Sequence, residues 1–192
     1  MACAATVYTN LDTLMLGFLA ADADVGYYNA ALKVKSVLVT LVTALGAVLL
    51  PRSSWYVEQG RIEDFHRMTQ KALRFVLLTA TAVTVYFILY AKECILVLSG
   101  EAFLPAEMSM RIIMPTVLLI GLTNVIGIQT LVPLGKEMVV LWSEIAGAVV
   151  DLILNMILIP RYQADGAAVG TLAAEVVVLA VQYATLHQEL RE

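Results

Sequence analysis

The chain has 192 residues, of which 60% are hydrophobic and 15% charged, and its formal net charge is −4. With a mean hydropathy of +0.84, it carries too few polar side chains to cover the surface of a water-soluble domain, so much of its exterior must face lipid. The acidic balance excludes the electrostatic footprint of a nucleic-acid binder.

A membrane span needs roughly 20 predominantly apolar residues, and by that measure the sequence reads as about six spans. The first covers residues 2–21. Residues 1–10 carry no basic region and Asp12 interrupts the apolar run, so this start reads as a membrane segment rather than a secretory signal, and as the interior of a longer protein. The second span follows the Asp22–Asp24 turn, runs from Gly26 to Leu50 and is expected to close at Pro51. Residues 52–71 form a polar, amphipathic connection, with Trp55 and Tyr56 placed for a headgroup layer on the cytoplasmic surface. The third span covers 72–91, and Gly100 and Pro105 mark the connection after it. The remaining spans cover 111–133, 137–159 and 166–187, separated by Gly- and Pro-marked turns at 133–136 and 160–166. Short connections favour antiparallel neighbours, hence an all-α, polytopic, up-and-down membrane bundle occupying the single unit 1–192.

Lys and Arg set the orientation. With the N-terminus cytoplasmic, the inner connections hold Arg52, Arg61, Arg67, Lys71, Arg74, Lys136 and Arg191, against Lys92, Arg111 and Arg161 outside. That asymmetry predicts cytoplasmic N- and C-termini in an inner, cell membrane.

Polar residues within the spans fall on stripes when placed at ~100° per residue. Span two aligns Asn29, Lys33, Ser36, Thr40 and Thr43; span four aligns Thr116, Thr123, Gly127 and Thr130. Span five aligns Glu144, Asp151 and Asn155, and span six Thr171, Glu175 and Gln182. Small and hydroxylated residues in such stripes serve helix packing or line a cavity, and the pattern alone leaves both readings open. Lys33, Glu144, Asp151 and Glu175 point more strongly to an aqueous cavity or a charged partner, because a lone ionised group in lipid costs a few kcal/mol. Lys35 falls off the stripe and reads as a snorkelling lysine.

Catalytic constellations are missing from the sequence: no HExxH, GxSxG or Walker loop occurs, and His66 and His187 read as surface histidines, so a non-enzymatic protein is expected. Cys3 and Cys94 lack metal-ligand spacing and read as free thiols.

Several strings carry a resemblance. Asp12-Thr13-Leu14-Met15-Leu16-Gly17, then Val25-Gly26-Tyr27-Tyr28-Asn29-Ala30-Ala31 with Lys33, resembles the opening of the second lobe of polysaccharide flippases. These are the O-antigen and capsule type within the multidrug/oligosaccharidyl-lipid/polysaccharide exporter superfamily. The likeness continues in order through Leu49-Leu50-Pro51-Arg52-Ser53, Gly121-Leu122-Thr123-Asn124, Pro133-Leu134-Gly135-Lys136-Glu137, Asn155–Pro160 and Gly166–Thr171, with Glu175 beyond. Gln163 departs from it, standing in a turn where family members often carry glycine.

The resemblance implies one lobe of a two-lobe exporter that moves a lipid-linked oligosaccharide or polysaccharide repeat unit across the membrane by alternating access, with membrane lipid, that substrate and a further N-terminal lobe as partners. It implies substrate-cavity roles for Asp12, Asn29, Lys33, Thr123, Asn124, Glu144, Asp151, Asn155 and Glu175, with Lys33 attracting phosphates. Gly17, Gly26, Gly121, Gly127 and Pro133 would act in packing or bending. No organic cofactor or metal is expected. Glu144, Asp151 and Glu175 suit cations of the other lobe, or a coupling proton or sodium ion. A cation-coupled multidrug exporter of the same superfamily and a non-transporting membrane scaffold subunit are the alternatives.

Overall fold

The computed structural model describes the backbone of residues 2–189 and the side chains of 11–188. The thiol of Cys3 and the Arg191 of the orientation count lie outside the described residues.

In chain order the elements are α1 (Ala2–Leu19), α2 (Asp22–Glu58), α3 (Ile62–Leu89), the short α4 (Ala91–Ser99), α5 (Ala106–Ile113), α6 (Pro115–Thr123), a π-helical segment (Asn124–Leu131) and α7 (Glu137–Glu189). Among the described residues every regular element is helical. This suits a chain in lipid, where each backbone N–H and C=O has to find its partner within its own segment. Helices long and apolar enough to cross a membrane are Asp22–Glu58, Ile62–Leu89, the composite rod Ala106–Leu131 and Glu137–Gln188. Exposed Val37, Leu41, Val48, Leu78 and Met156 give them apolar exteriors. The protein is a multi-pass membrane protein.

At ~1.5 Å per residue α7 would reach roughly 80 Å, far beyond a ~30 Å hydrocarbon core. It does not run straight. Gln163 has φ 47° and ψ −123°, a conformation costly for a residue with a Cβ. There the helix doubles back into arms 137–162 and 164–189. The arms pack antiparallel: Gln182 Nε2 donates to Ser143 Oγ at 3.0 Å, Gly147 faces Val178, and Gly166 abuts the Leu158 carbonyl. With α1, the rods account one for one for the spans expected from hydropathy.

One expectation needs correction. Pro51 does not close span two; α2 continues through it to Glu58. Tertiary anchoring beyond the proline outweighs the lost backbone bond: Ser53 Oγ donates to the Gln129 carbonyl at 2.9 Å and Tyr56 is buried. The polar connection expected over residues 52–71 is itself largely helical. They are the ends of α2 and α3, joined by a tight turn in which Gly60 takes φ +68°. Arg61 secures that turn, stacking over Trp55 and Tyr56 and pairing with Asp64 at 2.6 Å.

The main apolar core runs along the inner face of α2 through Tyr28, Ala31, Val34, Leu38 and Val42, meeting Val76 of α3, Met110 and Ile113 of α5, and Val117 of α6. Gly121 lets α6 close on this face: a Cβ there would stand 2.7 Å from Val42 and 2.8 Å from Val76.

Candidate functional site

Four side chains from three helices meet around Asp12 of α1. Tyr28 of α2 donates its hydroxyl to Asp12 Oδ2 at 2.6 Å. Thr171, on the second arm of α7, donates to the same oxygen at 2.8 Å and also lies 3.1 Å from the Ala167 carbonyl. Asn155, on the first arm, donates to Asp12 Oδ1 at 2.8 Å and to Asp151 Oδ2 at 3.1 Å. All are buried, Asp151 and Asn155 completely. The positions follow from helix geometry: Asp151 and Asn155, like Ala167 and Thr171, are one turn apart and share a face. Gly170 lets the arms approach, since a Cβ there would press on the Asn155 amide and Asp151.

Donors in this cluster are fewer than acceptors. Both Asn155 amide protons are used, and Tyr28 and Thr171 bring one proton each. Asp151 Oδ1 and Asn155 Oδ1 remain buried without a hydrogen-bond partner, while the Asn155 Nδ2 bridges the carboxyl groups of Asp12 and Asp151. Two carboxyl groups held this close in a dry setting disfavour carrying two negative charges at once. Among the described residues no group of three His, Cys, Asp or Glu side chains forms a metal site.

Beside the cluster lies Lys35, only 5% exposed. The snorkelling expected of it is overturned, because its face of α2 turns inward with Tyr28 and Leu38 rather than toward a headgroup layer. Glu175, Asp12 and Asp151 act on it electrostatically. Glu175 is itself buried and feels Glu144, which is half-buried on the first arm of α7.

The polar stripe of α2 takes the opposite side. Lys33, Ser36 and Thr40 are exposed, and Asn29 and Thr43 half-buried. Ser36, Thr40 and Thr43 donate to carbonyls of their own helix at 2.9, 2.8 and 2.8 Å, leaving oxygen lone pairs outward. Lys33 borders an open groove of about 330 Å³ whose other walls include Ala30, Val34, Phe87 and Leu98.

The other predicted residues lie apart from both. Thr123 bonds the Ile120 carbonyl at 3.1 Å. Asn124 opens the π-helical segment, accepts from Gln129 Nε2 at 3.0 Å and abuts Gly46. Gly127 packs on Gln182, a Cβ at Gly26 would meet the Phe103 ring at 3.6 Å, and nothing stands within 4 Å of a Cβ at Gly17. Pro133 is half-buried in the turn before α7. The sequence reading missed Tyr28, Lys35 and Ala167 as members of the cluster. It aligned Thr171 on a stripe without assigning it to the site.

A family model described as "Polysaccharide biosynthesis protein" matches residues 2–108, from α1 into α5. The chain belongs to the polysaccharide biosynthesis protein family. A relative named "Putative O-antigen transporter" in Escherichia coli K12 is 27% identical over 91% of this chain and 42% of its own length. One of the same name in Shigella dysenteriae is 25% identical over 92% of this chain and 43% of its own. An uncharacterised membrane protein of Methanocaldococcus jannaschii is 26% identical over 80% and 30%, respectively. The chain thus spans less than half the length of the curated relatives it matches. No solved structure matches it. Membership of this polysaccharide family makes the two unlike faces of α2 the features to explain.

Proposed function

We propose that this chain is one lobe of a transporter that flips a lipid-linked oligosaccharide, or polysaccharide repeat unit, across the cytoplasmic membrane by alternating access. One observation carries the reading: a spanning helix presents Asn29, Lys33, Ser36, Thr40 and Thr43 on an open face. A lysine and outward lone pairs are poorly served by hydrocarbon and well served by a polar cavity. A second lobe would complete that cavity. Glycan hydroxyls suit the Ser and Thr oxygens, an anionic phosphate suits Lys33, and the apolar groove beside Lys33 suits the start of a hydrocarbon tail.

The buried cluster would energise the cycle. A proton or sodium ion bound at Asp12, Asp151, Asn155, Thr171 and the Ala167 carbonyl would supply the missing positive charge, and the two bare oxygens of Asp151 and Asn155 support that fit. Because the ligands belong to α1 and both arms of α7, occupancy would fix the relation of those helices. The buried carboxylates also favour a second reading, a cation-coupled exporter of amphipathic drugs. Basic residues at the α2–α3 turn and at Lys136 support cytoplasmic termini.

The test is translocation of a lipid-linked oligosaccharide by the full-length protein in proteoliposomes, with and without a sodium or proton gradient. Gradient-driven flipping that is lost in Asp12→Asn is the expected result. Normal flipping by a well-folded Asp12→Asn would sink the coupling role, and drug export without glycolipid flipping would replace the substrate class.

A further inference from the structure

We propose that the crevice between α3 and α4 is a tail-binding site, through which the hydrocarbon chain of a phosphate-headed lipid leaves the polar cavity at Lys33. This rests on the reading above, that Lys33 meets the phosphate of a lipid-linked substrate. The chain builds the crevice by interrupting a helix twice. α3 ends at Leu89, Tyr90 departs from helical geometry at φ −104° and ψ 26°, and α4 resumes for nine residues until Gly100, at φ 86°, stops it. Nine residues reach roughly 14 Å, about half of a ~30 Å hydrocarbon core, so α4 is too short to cross. Buried Ala91 and Ile95 hold one face of α4 on the core. The other face stays open, with Val97 84% and Leu98 62% exposed.

Two hollows of about 330 Å³ each adjoin at this helix. The first is the groove bordered by Lys33, with Ser99 as its other polar wall. The second lies between α3 and α4, among Tyr86, Tyr90, Cys94 and Val97. Phe87 and Leu98 line both, so a flexible chain passes from one hollow to the other over those two side chains. Ligand pockets run from roughly 300 to 1,000 Å³, so each hollow takes a stretch of hydrocarbon and not a whole lipid. Charge orders the path. Lys33 is the cation in the first hollow and Glu93 the anion bordering the second. A phosphate is drawn to one and turned away from the other, and an uncharged tail fits between them. The polar face of α2 gives the tail its reason to leave, because each methylene kept in a wet cavity weakens binding roughly fourfold. Tyr86, Tyr90, Val97 and Leu98 are all exposed, which opens the crevice sideways to membrane hydrocarbon.

The experiment places the full-length protein in phosphatidylcholine nanodiscs with a polyprenyl pyrophosphate that carries a photoreactive diazirine in its tail. The matching polyprenol, free of phosphate, is the control. Adducts are mapped by mass spectrometry in wild type, Lys33→Ala and Leu98→Trp, with Leu98→Phe as a second blocking variant should the tryptophan fail to fold. In wild type the pyrophosphate lipid should mark residues 86–98 about tenfold more than exposed Val48, Leu78 and Met156, whereas the polyprenol marks them evenly. Lys33→Ala should lower the marking of 86–98 about tenfold at sub-saturating lipid. The Leu98 variants should lower it similarly while adducts at residues 33–38 persist. Even marking by the pyrophosphate lipid would overturn the exit path, and so would marking of 86–98 that is unchanged in Lys33→Ala or in both Leu98 variants. Flipping of a lipid-linked oligosaccharide, measured in parallel, separates the two claims. Flipping by wild type with even marking would overturn the exit path alone, and no flipping would overturn the reading on which it rests.

Discussion

Lys33 and Lys35 stand on one helix and meet opposite surroundings. Two residues turn the helix by ~200°, so whichever face one lysine takes, the other looks away from it. On the Lys33 side, hydroxyl groups are satisfied within α2, each by a carbonyl three or four residues earlier, and among the described residues these hydroxyls donate to no other helix. On the Lys35 side, polar bonds cross between helices: Tyr28 reaches α1 and α7, and Ser53 reaches the π-helical segment. The outward face can change its contacts without disturbing the fold. The inward face cannot. A surface that must meet a bulky, changing ligand belongs on the first, and a small charge-sensing site on the second.

The contrast breaks most severely at Asp12. Asp12→Ala removes the acceptor of three buried donors, on Tyr28, Thr171 and Asn155. Thr171 keeps the Ala167 carbonyl and Tyr28 can turn to Thr171 Oγ1, so one Asn155 proton is left unpaired; the variant should lose about 1–3 kcal/mol and unfold at a lower temperature in detergent. Flipping by the full-length protein should fall to background. Asp12→Asn separates the two effects, since an amide keeps an acceptor oxygen for Tyr28 and Thr171 while removing the charge. Near-normal thermal unfolding with no gradient-driven transport is the expected outcome. Equal losses of stability in both variants would make the cluster structural glue.

Lys33 tests the other face with a smaller effect. Its side chain is exposed and bonded to nothing described, so Lys33→Ala should leave the unfolding temperature unchanged. If it meets a lipid phosphate, the substrate concentration for half-maximal flipping should rise about tenfold, the worth of a charge-assisted contact in a partly wet site. A drop in maximal rate at unchanged half-saturation would place Lys33 in the conformational cycle instead. An unfolding temperature lowered as in Asp12→Ala would erase the distinction between the faces.

Much of this architecture is legible in the sequence, because lipid imposes a simple rule: apolar runs of span length become helices, and Gly or Pro between them turns the chain. Even the doubling back of α7 follows from length, although Gln163 hides it by occupying a position better suited to glycine. Asp12, Asp151 and Asn155 stand out because carboxyl and amide groups are rare in spans. Lys35 and Tyr28 do not, and the reason is physical. Periodicity assigns residues to faces but does not say which face of a membrane helix turns inward. On α2 the visible stripe, Asn29 to Thr43, is the open side, and the inward side reads as ordinary core apart from one lysine and one tyrosine hydroxyl. The spacing of those two residues was the available signal. Pro51 misled for a related reason, since its local preference is outweighed by Ser53 and Tyr56, whose partners lie far away in sequence.

Thr40 gives the smallest and sharpest comparison. Thr40→Val is nearly isosteric, removing a hydroxyl whose only bond goes to the Ser36 carbonyl of its own helix. Such back-bonding slightly weakens a helix, so stability should change by no more than about 0.5 kcal/mol in either direction. What the change deletes is an outward pair of oxygen lone pairs. A glycan held by several such groups loses one contact among many, and flipping should fall by less than about threefold while its dependence on the sodium or proton gradient stays that of wild type. On the inward face the matching change, Thr171→Val, strips Asp12 of a donor and the cluster of a ligand oxygen, and its gradient dependence should shift. If Thr40→Val also moved the gradient dependence, the open face would sense the coupling ion, and α2 would carry one continuous site instead of two.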